Sequence, residues 1–149
     1  MTGRALTPDE VFLCRSVFGQ AINYDEVTVF NRKWWPFQSR RVTMAPDGNL
    51  WFHPKGKLFC DDFCRSSRNI QALFIHEMVH VWQHQQGVFL PLARYPFSRY
   101  DYELQAGKAF AQFGIEQQAE IVSHYFLLKS GSRLKNGYSL ADYHGLLPF

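Results

Sequence analysis

The segment "FIHEMVHVWQHQQG", Phe74 to Gly87, places three of the chain's six histidines, His76, His80 and His84, at four-residue steps. Within it His76, Glu77 and His80 spell H-E-x-x-H. Histidines four apart on a helix stand one turn apart on the same face, so both imidazoles can reach one metal ion. The glutamate beside the first is placed to take a proton from a water molecule that the metal acidifies. This spacing suits zinc, and Zn2+ is the expected cofactor. The competing reading is an amphipathic helix whose polar face carries histidines by accident. It is weakened because the motif falls inside a strongly apolar helix, where burying His, Glu and His is otherwise costly.

His84 extends the row, but eight residues at about 1.5 Å rise set it about 12 Å along the axis from His76, too far to share one ion. It is expected at the surface or behind a ligand. A third ligand must come from elsewhere. The extended pattern H-E-x-x-H-x-x-G-x-x-H is excluded, because Gln83 and Gln86 stand where its glycine and third histidine belong. "EQQAE" supplies Glu116 and Glu120, again four apart on one helix face. One carboxylate can bind the metal while the other accepts a hydrogen bond from the outer nitrogen of a ligand histidine. Taken alone, the pair could equally be a solvated acidic face.

H-E-M-V-H followed downstream by E-x-x-x-E resembles the gluzincin group of zinc metallopeptidases. The resemblance implies His76, His80 and Glu116 as metal ligands, Glu77 as general base and Glu120 as the carboxylate supporting a ligand histidine. It spans Ile70 to about Leu128. More narrowly, "HEMVHVWQ" with "GIEQQAEIVSHYF" is similar to small bacterial zincin-like proteins labelled Vgr-related, associated with type VI secretion. Two departures from the gluzincin pattern stand out. Glu120 occupies a position where Asp is commoner, which leaves Glu116 against Glu120 open as the ligand, and eighteen residues follow Gly131 where those peptidases usually carry a longer domain.

Hydrolysis of a peptide or amide also wants a donor for the developing oxyanion. Tyr100, Tyr102, His124, Tyr143 and His144 are chemically able, with Tyr102 and His124 the named candidates. An extended substrate could add beside a sheet edge, for which residues 42 to 45 are the expected segment. Trp34-Trp35-Pro36-Phe37 fits a buried aromatic cluster anchoring its loop better than a pocket lining.

The elements that must position these groups follow from caps and periodicity. Thr7-Pro8-Asp9-Glu10 reads as a helix start, with the helix running to about Phe18. "EVTVF" (26–30), "RRVTMA" (40–45) and "NLWFH" (49–53) read as three strands, the last two a hairpin about Pro46-Asp47-Gly48. From a cap at Ser66 or Ser67, apolar residues recur at Ile70, Phe74, Met78 and Trp82 until Gly87 ends the helix. A loop with Pro91 and Pro96 leads to "YDYELQAGKAFAQFG", which carries no clear assignment. Ile115, Ala119, Val122 and Phe126 then mark a second strong helix closed by Gly131, and the tail "YSLADYHGLLPF" has room for a short helix. The expected fold is a single α+β domain over residues 1–149, a minimal zincin-like unit. In it a small antiparallel-containing sheet packs on the H-E-x-x-H helix and a second ligand-bearing helix.

Composition agrees with a packed domain: 46% hydrophobic, 17% aromatic and 19% charged residues. A net charge of +3 with Lys and Arg scattered in short pairs gives no basic stripe, so a nucleic-acid partner is not expected. Cys14, Cys60 and Cys64 are an odd number without a redox or zinc-knuckle spacing, and are expected to be free thiols of a reducing compartment. The N-terminal residues carry no apolar signal core and no stretch approaches eighteen apolar residues. Cytoplasmic residence is therefore expected, without a membrane partner, and the Vgr-related resemblance implies export by a dedicated secretion system. The expected activity is zinc-dependent hydrolysis of peptide or amide bonds in a peptide or protein substrate, linked to a secretion apparatus; cell-wall peptides are a further substrate class open to the same chemistry. The alternative is a zinc-stabilised interaction module with little turnover.

Overall fold

The structure is a computed structural model and describes residues 3–90 and 99–149; the loop expected about Pro91 and Pro96 lies outside the described residues. Helix α1, Pro8–Phe18, starts where the sequence places it. The Thr7 hydroxyl accepts from Glu10 N at 3.1 Å, and the Glu10 carboxylate accepts in return from Thr7 N at 2.8 Å. Fully buried Glu10 also takes both guanidinium nitrogens of Arg4 and the backbone N–H of Phe63 at 2.9 Å. One carboxylate thus ties α1 to the chain that enters the next helix.

Strand β1, Gly3–Ala5, pairs antiparallel with β2, Thr28–Phe30, which pairs in parallel with β3, Leu50–Trp51. Two expectations are corrected here. The strand expected from Glu26 begins at Thr28, because Tyr24–Glu26 forms a 3-10 turn in which Val27 N donates to Tyr24 O. The strand expected over 40–45 reduces to one antiparallel bridge, Met44 to Trp51. Beyond Met44 the ladder is diverted: Val42 N donates to Ser39 O, and the Gln38 side-chain amide donates to both Val42 O and Trp51 O at 2.9 Å. The turn between them behaves as expected, with Asp47 Oδ1 accepting from Asn49 N and from the Trp51 indole, and with Gly48 at φ +84°. Strand β1 has no counterpart in the sequence reading; its three residues carry no alternation.

Helix α2, Arg68–Gln85, is capped by Ser67, whose hydroxyl accepts from Ile70 N. Helix α3, Ile115–Lys129, follows a 3-10 turn at Phe110–Gln112, and a last 3-10 turn covers Leu140–Tyr143. Gly87 and Gly131, just past the two helices, adopt φ +94° and +91°, the left-handed backbone that favours glycine after a helix. The expected stripes of α2 and α3 face each other: Phe74, Ile75, Met78 and Val79 are completely buried, as are Ala119, Ile121 and Val122. Each large side chain of this set contributes about 1.5–3 kcal/mol through burial, which makes the helix pair the firm centre of the molecule. Phe63 stacks on Phe74 at 4.7 Å between centroids and Phe52 lies 5.3 Å from Phe63, joining the segment after β3 to the same core. The fold is α+β, with three helices and a three-stranded mixed sheet among the described residues.

Trp34, Trp35 and Phe37 do not form a buried cluster; they are 38%, 46% and 80% exposed. Gln38 takes the interior place in that loop instead, since its carbonyl also accepts from Trp34 N at 2.8 Å. Cys14, Cys60 and Cys64 form no disulfide, and Cys60 Sγ lies 2.9 Å from Ser66 Oγ.

Candidate metal centre

The polar groups of α2 and α3 meet along the line where the helices pack. Ser123 Oγ of α3 donates to Ala72 O of α2 at 2.9 Å, one turn before His76, and sets the two backbones close together. On that line His76, His80 and Glu116 are all buried, and each offers one ligand atom within 4.8 Å of the others. His76 Nε2 lies 3.2 Å and His80 Nε2 2.8 Å from the same oxygen, Glu116 Oε1. Each imidazole has its second nitrogen engaged on the far side. His76 Nδ1 meets Glu120 Oε1 at 2.9 Å, and His80 Nδ1 meets Gln83 Oε1 at 2.8 Å.

The two glutamates are placed differently. Glu116 sits between the two Nε2 atoms, while of these two imidazoles Glu120 reaches the outer nitrogen of His76. Gln83 is the member that sequence reasoning missed. Its carbonyl can take the Nδ1–H of His80, and its own NH2 donates to Ile115 O at 3.1 Å and Gln118 Oε1 at 2.9 Å, which fixes the amide's orientation. The signal available for it was its position, three residues after a motif histidine on the same helix face. His84 stays out of the site: it is exposed, and its ring packs on the turn at Gly48, where a Cβ would come 2.7 Å from His84 Cδ2.

Charges within the group follow the geometry. Burial works against a proton on His76, but the hydrogen bonds to Glu116 and Glu120 and the charge of Glu77 outweigh it and raise the imidazole to about 10. Burial likewise opposes ionisation of Glu120, and the bonds from His124 and His76 overcome it, holding the carboxyl down at about 2.

A cavity of about 400 Å³ opens over His76, Glu77 and Glu120, walled by residues including Arg41, Val42, Thr43, Tyr100 and His124. The segment expected to guide an extended substrate therefore borders the site, although it is a bridge and not a regular strand. The two named oxyanion candidates occupy different places. His124 is on the cavity wall, with Nε2 3.3 Å from Glu120 Oε2 and Nδ1 2.6 Å from the Tyr102 hydroxyl. Tyr102 stands behind it, its hydroxyl also 2.6 Å from that of buried Tyr143, and burial followed by the Tyr143 bond pushes its pKa well up. Tyr100 lies over the site, its ring stacked on His76 at 6.0 Å and 17°. His144 lines a separate depression with Leu104 and Asp142.

The residues fit a metal ion on their own chemistry. Two imidazole nitrogens, of which that of His76 would give up its proton to a metal, and one carboxylate oxygen converge from two rigid helices, and each imidazole is oriented by an acceptor on its other nitrogen. Fold and site together define a small α+β domain with a candidate metal-binding group on a packed helix pair.

Comparison with known proteins agrees in extent. No family model matches the chain. It is 40% identical over 136 residues to the type VI secretion system spike protein VgrG2b of Pseudomonas aeruginosa, an alignment that covers 86% of this chain and 13% of that protein. Among solved structures, the effector domain of Pseudomonas aeruginosa VgrG2b superposes with a TM-score of 0.83 at 35% identity, covering 98% of this chain and 84% of that one. The chain belongs to the family of VgrG2b effector domains. It spans only a small part, 13%, of the length of the complete spike protein. Among the described residues no helix is long and apolar enough to cross a membrane.

Proposed function

We propose that this domain is a zinc metallopeptidase of gluzincin type on a zincin-like scaffold, acting as an effector of a type VI secretion apparatus. One observation carries the reading: the Nε2 atoms of His76 and His80 both point at Glu116 Oε1, while their Nδ1 atoms are taken by Glu120 and Gln83. His76, His80 and Glu116 would hold the ion. When bound, zinc supplies Lewis-acid polarisation of a carbonyl oxygen and lowers the pKa of a water toward neutrality.

The chain's own residues do the rest. Glu77, buried on the cavity wall next to His76, accepts the water's proton as the oxygen attacks the substrate carbonyl, and returns it to the leaving nitrogen. Glu120 holds His76 Nδ1–H, so that Nε2 keeps its lone pair for the metal. His124 and Tyr100 are among the wall groups able to donate to the developing oxyanion. For His124 this requires its Nε2–H to turn from Glu120 to substrate, and Tyr102 holds the ring from the other side. The effector role and delivery by the secretion apparatus extend to this chain what the name of VgrG2b says of that protein.

The test is metal content of the purified protein together with cleavage of an unstructured protein substrate. About one zinc per chain, and cleavage abolished by chelation and restored by zinc, are expected. Zinc retained with no cleavage of any peptide or cell-wall substrate would turn the reading toward a metal-stabilised interaction module. Gln83→Ala is expected to weaken zinc binding about 10 to 100-fold, by freeing the His80 ring, which a chelator competition would measure. An unchanged affinity would remove Gln83 from the site.

A further inference from the structure

Folding gathers charges that are scattered along the chain. The loop from 31 to 42 is exposed throughout except at Gln38, and it carries Arg32, Lys33, Arg40 and Arg41 around the tip Trp34-Trp35-Pro36-Phe37. The turn at 53–58, with exposed Lys55 and Lys57, packs directly on it: a Cβ at Gly56 would lie 2.5 Å from Arg40 O. His53 in that turn is held below the ordinary imidazole range by desolvation and by the charges of Lys33, Arg40 and Lys55, which places those cations around one spot. No Asp or Glu occurs between Val27 and Pro46, nor from Phe52 to Cys60. The adjoining loop and turn therefore carry six cations and three exposed aromatic side chains with no acidic residue among them.

These aromatics are not waiting for a place in the interior. Gln38 bonds Trp34 N, Val42 O and Trp51 O, closing the loop at both ends and leaving Trp34, Trp35 and Phe37 outside. A monomer gains nothing from such exposure, and patches of this kind mark interaction surfaces. Their arrangement identifies the partner. Trp35 and Phe37 meet edge to face at 72°, so they do not offer the successive parallel faces on which nucleotide bases stack. An apolar tip with indoles, flanked on both sides by Lys and Arg, matches the depth profile of a lipid interface: aromatic rings at the headgroup level, cations on the phosphates.

We infer that the loop at 31–42 and the turn at 53–58 dock this domain on the surface of a bilayer containing anionic phospholipid. The docking is peripheral. Arg41 and Val42 belong both to this face and to the cavity wall over Glu77, so a docked domain holds its cavity beside the membrane surface. The sequence expectation of no membrane partner was drawn from the absence of spanning segments, which a surface contact does not need.

The test uses the whole chain with vesicles of phosphatidylcholine, alone or mixed with phosphatidylglycerol, read by co-sedimentation and by tryptophan emission. Binding to the mixed vesicles only, a blue shift of the emission, and weakening as salt is raised are expected. The Trp34→Ser/Trp35→Ser/Phe37→Ser variant changes exposed positions and is expected to lose the binding, while Arg40→Gln/Arg41→Gln weakens it about tenfold or more. No binding by the wild-type chain overturns the inference, as does equal binding by the aromatic variant with an unchanged circular dichroism spectrum. Binding of single-stranded oligonucleotide or acidic peptide through the same residues, without vesicle binding, also overturns it. Neither zinc content nor hydrolysis enters these readouts, so this inference and the peptidase reading fail separately.

Discussion

Glu77→Gln is expected to take up zinc as the wild-type chain does and to lose hydrolysis by about 10²–10⁴-fold, the usual contribution of a general base. The change keeps the size and the buried position of the side chain and removes only its ability to hold a proton. Glu77 is not among the three groups whose ligand atoms converge within 4.8 Å, so metal content and activity should separate in this variant. Measuring zinc by mass spectrometry and cleavage rate on the same preparation decides the matter. Full activity in Glu77→Gln would sink the mechanism proposed here, and loss of zinc would show that Glu77 supports the ion instead of the proton.

The second large effect concerns the two glutamates of α3. Glu116→Ala is expected to abolish stoichiometric zinc, because its Oε1 is the one carboxylate oxygen facing both His76 Nε2 and His80 Nε2. Glu120→Ala leaves three ligands in place and frees the outer nitrogen of His76 and Nε2 of His124, so its affinity should fall about 10 to 100-fold. A chelator series run on both variants gives the ranking. The reverse order would exchange their roles and require α3 to turn in solution relative to the arrangement described here.

Much of the helical frame was legible because its signals are local. The Thr7 to Glu10 capping pair, the Ser67 cap, the stripes through Phe74 and Val122 and the glycines at 87 and 131 each act within one or two turns. H-E-x-x-H was legible for the same reason. The different placement of Glu116 and Glu120 was not, since both share a face of α3 and only its packing against α2 sets which carboxylate lies between the two Nε2 atoms. Gln83 escaped notice because its role depends on Gln118 and Ile115 O, which lie more than thirty positions away. The strands were the weakest part: two or three residues long, they are set by pairings such as Arg4 with Val29, and a single amide from Gln38 is enough to end one. That same amide explains why a run of aromatics that reads as core stands outside.

The contacts that bring Glu116 to both histidines, and Glu120 to His76, cross a single seam, between α2 and α3. The relative sliding of two rods then sets this alignment, and a slip of one residue, about 1.5 Å, would move Glu116 out of line with both imidazoles. Surrounding turns and sheet edges can change length or composition without touching that alignment. A domain built this way can vary its outer surface from one host to another while its working parts stay in gauge.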